Sequence, residues 1–137
     1  MKKLILAMIL LFPMVAFASH SVTIEEVILD GPPAEGIGCG TQTVVINGSA
    51  TYYPPFGYVC LTYWVKPNEF GSPYFGPADG YANFYRDCSA PNPWTYNRVF
   101  EPGIWTFRVE VSDSHGTSSI KDNETFEIAE WSDPRCQ

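Results

Sequence analysis

The chain has 137 residues, with 15 Asp and Glu against 8 Lys and Arg and a formal net charge of −7. Because the few cations are scattered, binding to nucleic acid or to an anionic membrane surface is disfavoured, since both need clustered Lys and Arg. The length fits one domain with a real hydrophobic core.

The first 18 residues have the features of a secretory signal peptide. Met1–Lys3 is short and positive, Leu4–Val15 is almost wholly apolar, and Ala16–Ala18 has the small-x-small pattern that signal peptidase recognises. The apolar run is too short for a membrane anchor, and no later run approaches the roughly 20 residues of a spanning helix. We therefore expect a secreted or periplasmic domain over residues 19–137, with a net charge of −9 after Lys2 and Lys3 are removed.

Four cysteines remain after the leader, with gaps of 21, 28 and 48 residues between them. Structural zinc sites use closely paired cysteines, and these gaps lack that pairing. An even number of cysteines in an exported chain of this size predicts two disulfides, for which three connectivities are possible. The four are Cys39, Cys60, Cys88 and Cys136.

Short β-rich runs separated by Gly and Pro follow the leader, and none has helical periodicity. This pattern predicts an all-β antiparallel sandwich of about seven strands. In the first run, Val22 and Ile24 share one parity while Val27 and Leu29 share the other. Such a change of parity indicates a β-bulge, which we place near Glu25-Glu26.

The later runs predict six further strands: Val44–Tyr52, Tyr58–Val65, Asp79–Arg86, Thr95–Phe100, Ile104–Ser112 and Glu124–Glu130. Tyr58–Val65 is apolar on both parities, as expected of a strand covered on both faces. Ile104–Ser112 alternates most cleanly, which predicts one buried and one wet face. Its inward set is Trp105, Phe107, Val109 and Val111, and its outward set is Thr106, Arg108, Glu110 and Ser112. Asp113–Thr117 then predicts a turn, after which Phe126 and Ile128 point inward.

The stretch Val99–Gly116, with a Pro-Gly turn, an aromatic-rich strand and a Ser-Asp-x-x-Gly turn, resembles the last hairpin of bacterial immunoglobulin-like domains of the PKD type. The resemblance extends over roughly Val44–Ile128. Trp64–Asn68 departs from the Trp-Asp-Phe-Gly-Asp-Gly motif usual in PKD domains, so the resemblance is to the superfamily more than to the subfamily. It implies an immunoglobulin-like sandwich. With that topology it implies disulfides Cys39–Cys136 and Cys60–Cys88.

Aromatic rings are concentrated in Asn68–Asn97, among Gly and Pro. Exposed Tyr and Trp rings stack on sugars or anchor partner proteins, although a long connection also needs rings for a small core of its own. We expect a non-catalytic binding, adhesion or structural module that contacts a protein or glycan partner through these rings and uses no cofactor. A carbohydrate-binding module is a narrower version of this interpretation. The candidate contact residues are Phe70, Tyr74, Phe75, Tyr81, Tyr85, Trp94 and Tyr96.

A copper site is the alternative from another class. An N-terminal His20 with a distant Asp113-x-His115 turn is similar to the periplasmic copper-carrier proteins of copper resistance. Imidazole and carboxylate ligands suit Cu(II), so the resemblance implies that these three residues bind it. Catalysis is not expected, because the sequence has neither a Gly-x-Ser-x-Gly elbow nor a glycine-rich phosphate loop.

Overall fold

A computed structural model describes residues 20–52, 58–67, 83–114 and 120–137, so the predicted leader lies outside the described part of the chain. These ranges contain eight strands: β1 (Ser21–Ile28), β2 (Gly38–Cys39), β3 (Gln42–Thr51), β4 (Val59–Pro67), β5 (Asn83–Asp87), β6 (Trp94–Phe100), β7 (Gly103–Asp113) and β8 (Ile120–Ala129). A short 3-10 helix, Pro134–Cys136, follows β8. No helix in these ranges has the length and apolarity needed to cross a bilayer.

The strands form two sheets, ordered β1-β3-β6 and β2-β8-β7-β4-β5. Neighbouring strands are antiparallel, apart from the parallel pair β2 and β8. The prediction of an all-β protein with two disulfides is therefore confirmed. The described strands number eight rather than seven because the two-residue β2 has too little sequence pattern to be recognised.

One hydrophobic core lies between the two sheets. Val44 and Ile46 of β3 and Phe107, Val109 and Val111 of β7 are all fully buried, as the alternation in these strands predicts. β4 is buried on both parities, which confirms the interpretation of its apolar run.

Thr106 differs from its predicted place on the wet face of β7, because it is fully buried. Its hydroxyl lies 3.2 Å from the hydroxyl of Thr125 on β8. A threonine can be buried at such a position because its one polar atom has a partner.

β8 begins at Ile120, four residues before the predicted start. Ile120 is followed by the polar residues Lys121, Asp122 and Asn123, so the sequence pattern does not mark this stretch as strand. They pair with β7, and Asn123 accepts a hydrogen bond of 2.9 Å from Arg108 Nε. Cross-strand contacts therefore extend the hairpin beyond the hydrophobic signal.

The predicted bulge in β1 is confirmed, because the register of β1 against β3 shifts between Ile24 and Glu26. β1 pairs with β3 along its length, up to Ile28 opposite Val45. Only at β2, ten residues after β1 ends, does the chain join the second sheet, beside β8. In the described ranges β1 therefore lies beside β8 without forming a ladder with it.

Both disulfides pair as the resemblance implies. Cys39 of β2 is joined to Cys136 of the 3-10 helix, and Cys60 of β4 to Cys88, one residue after β5. The first fixes the C-terminal turn to β2, and the second fixes β5 to β4. Two disulfides with no free cysteine among the described residues indicate a compartment outside the cytoplasm.

Candidate functional site

Four aromatic rings surround the buried Tyr63 of β4. Its ring centroid lies 5.3 Å from Tyr96 and 5.7 Å from Trp94, both of β6, and 6.1 Å from Phe107 of β7. Tyr85 of β5, directly opposite Tyr63 in the register of β4 and β5, is the fourth. Such contacts add to the stability gained by burying the rings, and they fix the position of Tyr63.

Tyr85 stacks on the buried Tyr63 and exposes its own ring to solvent. The ring stacks on Tyr63 with a centroid distance of 6.2 Å and an interplanar angle of 15°, yet the residue is 61% exposed. β6 is the last strand of its sheet and packs over β4, so β5 of the larger sheet extends past it. We call the stacked pair of Tyr85 and Tyr63 the aromatic platform. The Cys60–Cys88 disulfide joins the end of β5 to β4 and so holds this platform in place.

Burial raises the pKa values of three tyrosine hydroxyls near this platform. It raises the pKa of Tyr52 to about 12, and the charge of Asp87 adds to that shift. Burial likewise raises the pKa of Tyr63, with smaller contributions from Asp87, Tyr52 and Tyr85. It also raises the pKa of Tyr96, against the opposing effect of Arg98. At neutral pH these three groups are uncharged, so they suit hydrogen bonding more than proton abstraction.

Only part of the predicted aromatic site is at the surface. Tyr85 is exposed and Tyr96 is partly buried against the core. The prediction that Trp94 contacts a ligand is wrong, because the residue is 1% exposed and cannot offer its ring at the surface. The other four predicted contact residues, Phe70, Tyr74, Phe75 and Tyr81, lie outside the described ranges.

Trp94 is buried because it fills a space that Gly48 leaves open. The two residues are direct partners in the register of β3 and β6. A Cβ at position 48 would lie 2.1 Å from Cζ2 of the indole, so no larger residue leaves room for the ring. The indole Nε1 donates a hydrogen bond of 3.0 Å to the carbonyl of Ser49. Trp94 therefore joins the two sheets as a structural residue.

The predicted copper ligands are brought together in part. His20 Nε2 lies 3.0 Å from Asp113 Oδ2, and the two side chains are only 3% and 5% exposed. His115 lies outside the described residues. Within the ranges that the structure describes, no group of three His, Cys, Asp or Glu side chains could hold a metal ion.

Tyr63, Tyr52 and Trp131 were not identified as site residues from the sequence. Tyr63 lies in a predicted strand that is apolar on both parities, which marks it only as a core residue. Trp131 is 65% exposed, and a Cβ at Gly40 would lie 2.0 Å from its indole Nε1. Gly40 also has a φ of +74°, a conformation that glycine adopts readily. Gly40 was a sequence signal that another group approaches the backbone there. The sequence does not show that this group is Trp131, because the two residues are 91 positions apart.

Comparisons with family models, with curated proteins and with solved structures found no match to this chain.

Proposed function

We propose that this chain is an exported, non-catalytic binding module whose ligand contacts the ring of Tyr85. The observation that carries the proposal is an exposed tyrosine stacked at 6.2 Å on a fully packed one. A ring whose position is already fixed loses little conformational entropy when a ligand binds, which is why binding surfaces use such rings.

The order of the strands supports a sandwich of the immunoglobulin type. In immunoglobulin domains the first, second and fifth main strands share one sheet, and the third, sixth and seventh share the other. β1, β3 and β6 take the first set of places, while β4, β7 and β8 take the second. β5, beside β4, takes the place of the extra strand of variable-type domains. Export, to the periplasm or beyond the cell, is supported by the leader-like residues 1–18 and the two disulfides.

The chemistry around Tyr85 favours an uncharged ligand. The Tyr52 hydroxyl already donates a hydrogen bond to the carbonyl of Pro91, and Tyr63 is buried, so the contact offered to a ligand is the face of the Tyr85 ring. The chain is acidic overall, which disfavours anionic ligands. A neutral glycan, or an apolar residue of a partner protein, fits an aromatic platform of this kind.

Affinity electrophoresis in gels with neutral polysaccharides tests the glycan form of the proposal. Tyr85→Ala should weaken retention by about tenfold, the effect of losing one anchoring ring. Tyr58→Ala is the matched control, because Tyr58 is equally exposed at 62% and does not belong to the cluster around Tyr63. Equal loss in the two variants would contradict a role for Tyr85.

A photo-crosslinking amino acid at position 85, compared with the same group at position 58, tests the partner-protein form in cells that export the chain. A defined adduct from position 85 alone is expected. If no polysaccharide retains the protein and no adduct forms specifically at position 85, Tyr85 is not a binding residue.

A second proposed function is a Cu(II) carrier, which the contact between His20 and Asp113 favours. A copper ion would take one nitrogen and one oxygen ligand from this pair, and His115, two residues after Asp113 in the sequence, is the proposed third ligand. Native mass spectrometry with added Cu(II) tests this site. One bound ion that is lost in both His20→Ala and His115→Ala is expected, whereas equal uptake by wild type and variants would contradict a site built from these residues.

A further inference from the structure

β8 has an incompletely paired edge. Along one edge it pairs with β7 from Ile120 to Ile128. Along the other, pairing among the described residues is limited to Ile128 and Ala129, opposite β2. Residues 123–127 therefore have no strand partner on this edge in the described ranges, over about 17 Å. Successive residues of a strand direct their N–H and C=O groups to opposite edges, so alternate residues of this stretch present theirs toward β1.

β1 lies beside this edge, but the two strands form no ladder in the described ranges. The backbone N–H of Ile24, at the bulge, donates a hydrogen bond of 2.8 Å to the side chain of Asp122 on β8. A carboxylate between two strands keeps their backbones beyond the spacing of a β-ladder. The bulge and the carboxylate thus hold the edge of β8 open.

The gap forms a groove of about 300 Å³. Its lining is apolar at Ile24, Val27, Leu29 and Phe126 and acidic at Glu25, Glu26 and Glu124. Glu26 accepts a hydrogen bond from Asn47 across the smaller sheet, so Glu25 and Glu124 are the exposed carboxylates that remain at the groove. Apolar and acidic side chains together beside an unpaired strand edge suit an extended segment that carries both apolar and basic residues.

We propose that the groove between β1 and β8 receives an extended basic segment of a partner protein, which adds a strand to β8 and places Lys or Arg beside Glu25 and Glu124. The site lies on the side of the sandwich opposite Tyr85, since β1 and β8 lie at one side and β6 and β5 at the other. It does not depend on the proposed function of Tyr85. A second copy of this acidic chain does not fit the groove as well, because it would bring further negative charge.

Fluorescence anisotropy with a labelled peptide of about eight residues, alternating valine and lysine, tests the proposal directly. Saturable binding that weakens with added salt is expected. The same peptide with N-methyl groups on alternate residues keeps its charge but cannot form the backbone ladder, so it should bind at least tenfold more weakly. Amide hydrogen exchange in residues 123–127 should slow on binding of the unmodified peptide.

Glu25→Gln with Glu124→Gln should weaken binding of the peptide by about tenfold, through loss of two surface ion pairs. Glu101→Gln with Glu130→Gln removes the same charge at exposed positions outside the groove and should change binding by less than about twofold. All four side chains are exposed, so folding should be preserved.

Three results would overturn the proposal: equal binding of the two peptides, equal effects of the two double variants, or no binding. The first two would show that the peptide is attracted only by the overall negative charge. The third would indicate that the carboxylates serve to prevent aggregation through the unpaired edge of β8. Self-association lost on Glu25→Gln with Glu124→Gln would assign the groove to a second copy, against the proposal.

Discussion

His20 Nε2 lies 3.0 Å from Asp113 Oδ2, so the first described residue is joined to the end of β7 across 93 positions of sequence. Both side chains are almost completely buried. The contact fixes the start of β1 to the larger sheet, although among the described strands β1 pairs only with β3 of the smaller one. The two sheets are thus linked at this end by a polar contact as well as by the core.

His20→Ala and Asp113→Ala should each lower the free energy of unfolding by about 2 kcal/mol, because each removes a buried hydrogen bond that involves an ionisable group. Urea unfolding of both single variants and the double variant gives the coupling energy, which we expect to be about 1 kcal/mol or more. Ser21→Ala, an exposed neighbour, is the control. Additive effects in the double variant would show that the contact itself adds nothing to stability.

Gly48→Ala should destabilise the protein by about 2–3 kcal/mol. The new Cβ would lie 2.1 Å both from the backbone oxygen of Thr23 and from the indole of Trp94, and the backbone oxygen cannot move aside. Chemical denaturation measures the effect. Ser49→Ala, the adjacent residue on the outer face, should stay within about 0.5 kcal/mol of wild type.

Hydrophobic alternation was enough to predict the main strands. The parity change around Glu25 predicted the bulge, and the alternation over Ile104–Ser112 predicted the inward face of β7, because both signals are local. β2 could not be predicted, since two residues carry no periodicity. The disulfide pairing came from the implied topology, because spacing alone left three connectivities.

The candidate site was predictable only at the level of composition. Counting rings in Asn68–Asn97 gave the exposed Tyr85 and the buried Trp94 the same role, because composition does not show which ring faces the core. The decisive feature for Trp94 is Gly48 opposite it, a pairing between strands 46 residues apart. The stacking of Tyr85 on Tyr63 depends in the same way on cross-strand register.

Alkaline pH should destabilise the fold through Tyr52 and Tyr63. Because the folded pKa of Tyr52 is raised from 10.0 to about 12, its contribution to stability is complete below pH 10 and is lost as the pH rises toward about 12. Tyr63 acts in the same direction. In a pH titration, the phenolate absorbance of Tyr52 and Tyr63 should therefore rise at a higher pH in the native protein than in the protein unfolded in urea. Coincident curves would show that burial does not hold these hydroxyls protonated.

Arg135 should determine the pKa values of two carboxyl groups near the C-terminal turn, those of Asp133 and Glu127. Hydrogen bonds from its side chain and backbone lower the pKa of Asp133 from 3.8 to about 2, and its side chain also lowers the pKa of Glu127. These groups stabilise the fold above about pH 4, and that contribution is lost as the pH falls toward about 2.

Carbonyl NMR shifts followed against pH measure the pKa values of both carboxyls. In Arg135→Ala, the pKa of Asp133 should return toward 3.8. Asp87 is the internal control, because hydrogen bonds from Ser89 lower its pKa. A pKa of Asp133 that stays near 2 in the variant would assign its shift to other groups.

The two disulfides should differ in their contribution to stability because they close loops of different length. Cys39–Cys136 spans 97 residues and Cys60–Cys88 spans 28. In the chain-entropy model, replacing the first pair by Ala should cost about 5 kcal/mol and replacing the second about 4 kcal/mol. Urea unfolding of the two double variants measures the difference. A larger loss from the shorter loop would show that the Cys60–Cys88 bond acts mainly on the folded state, by holding β5 and its exposed Tyr85 against β4.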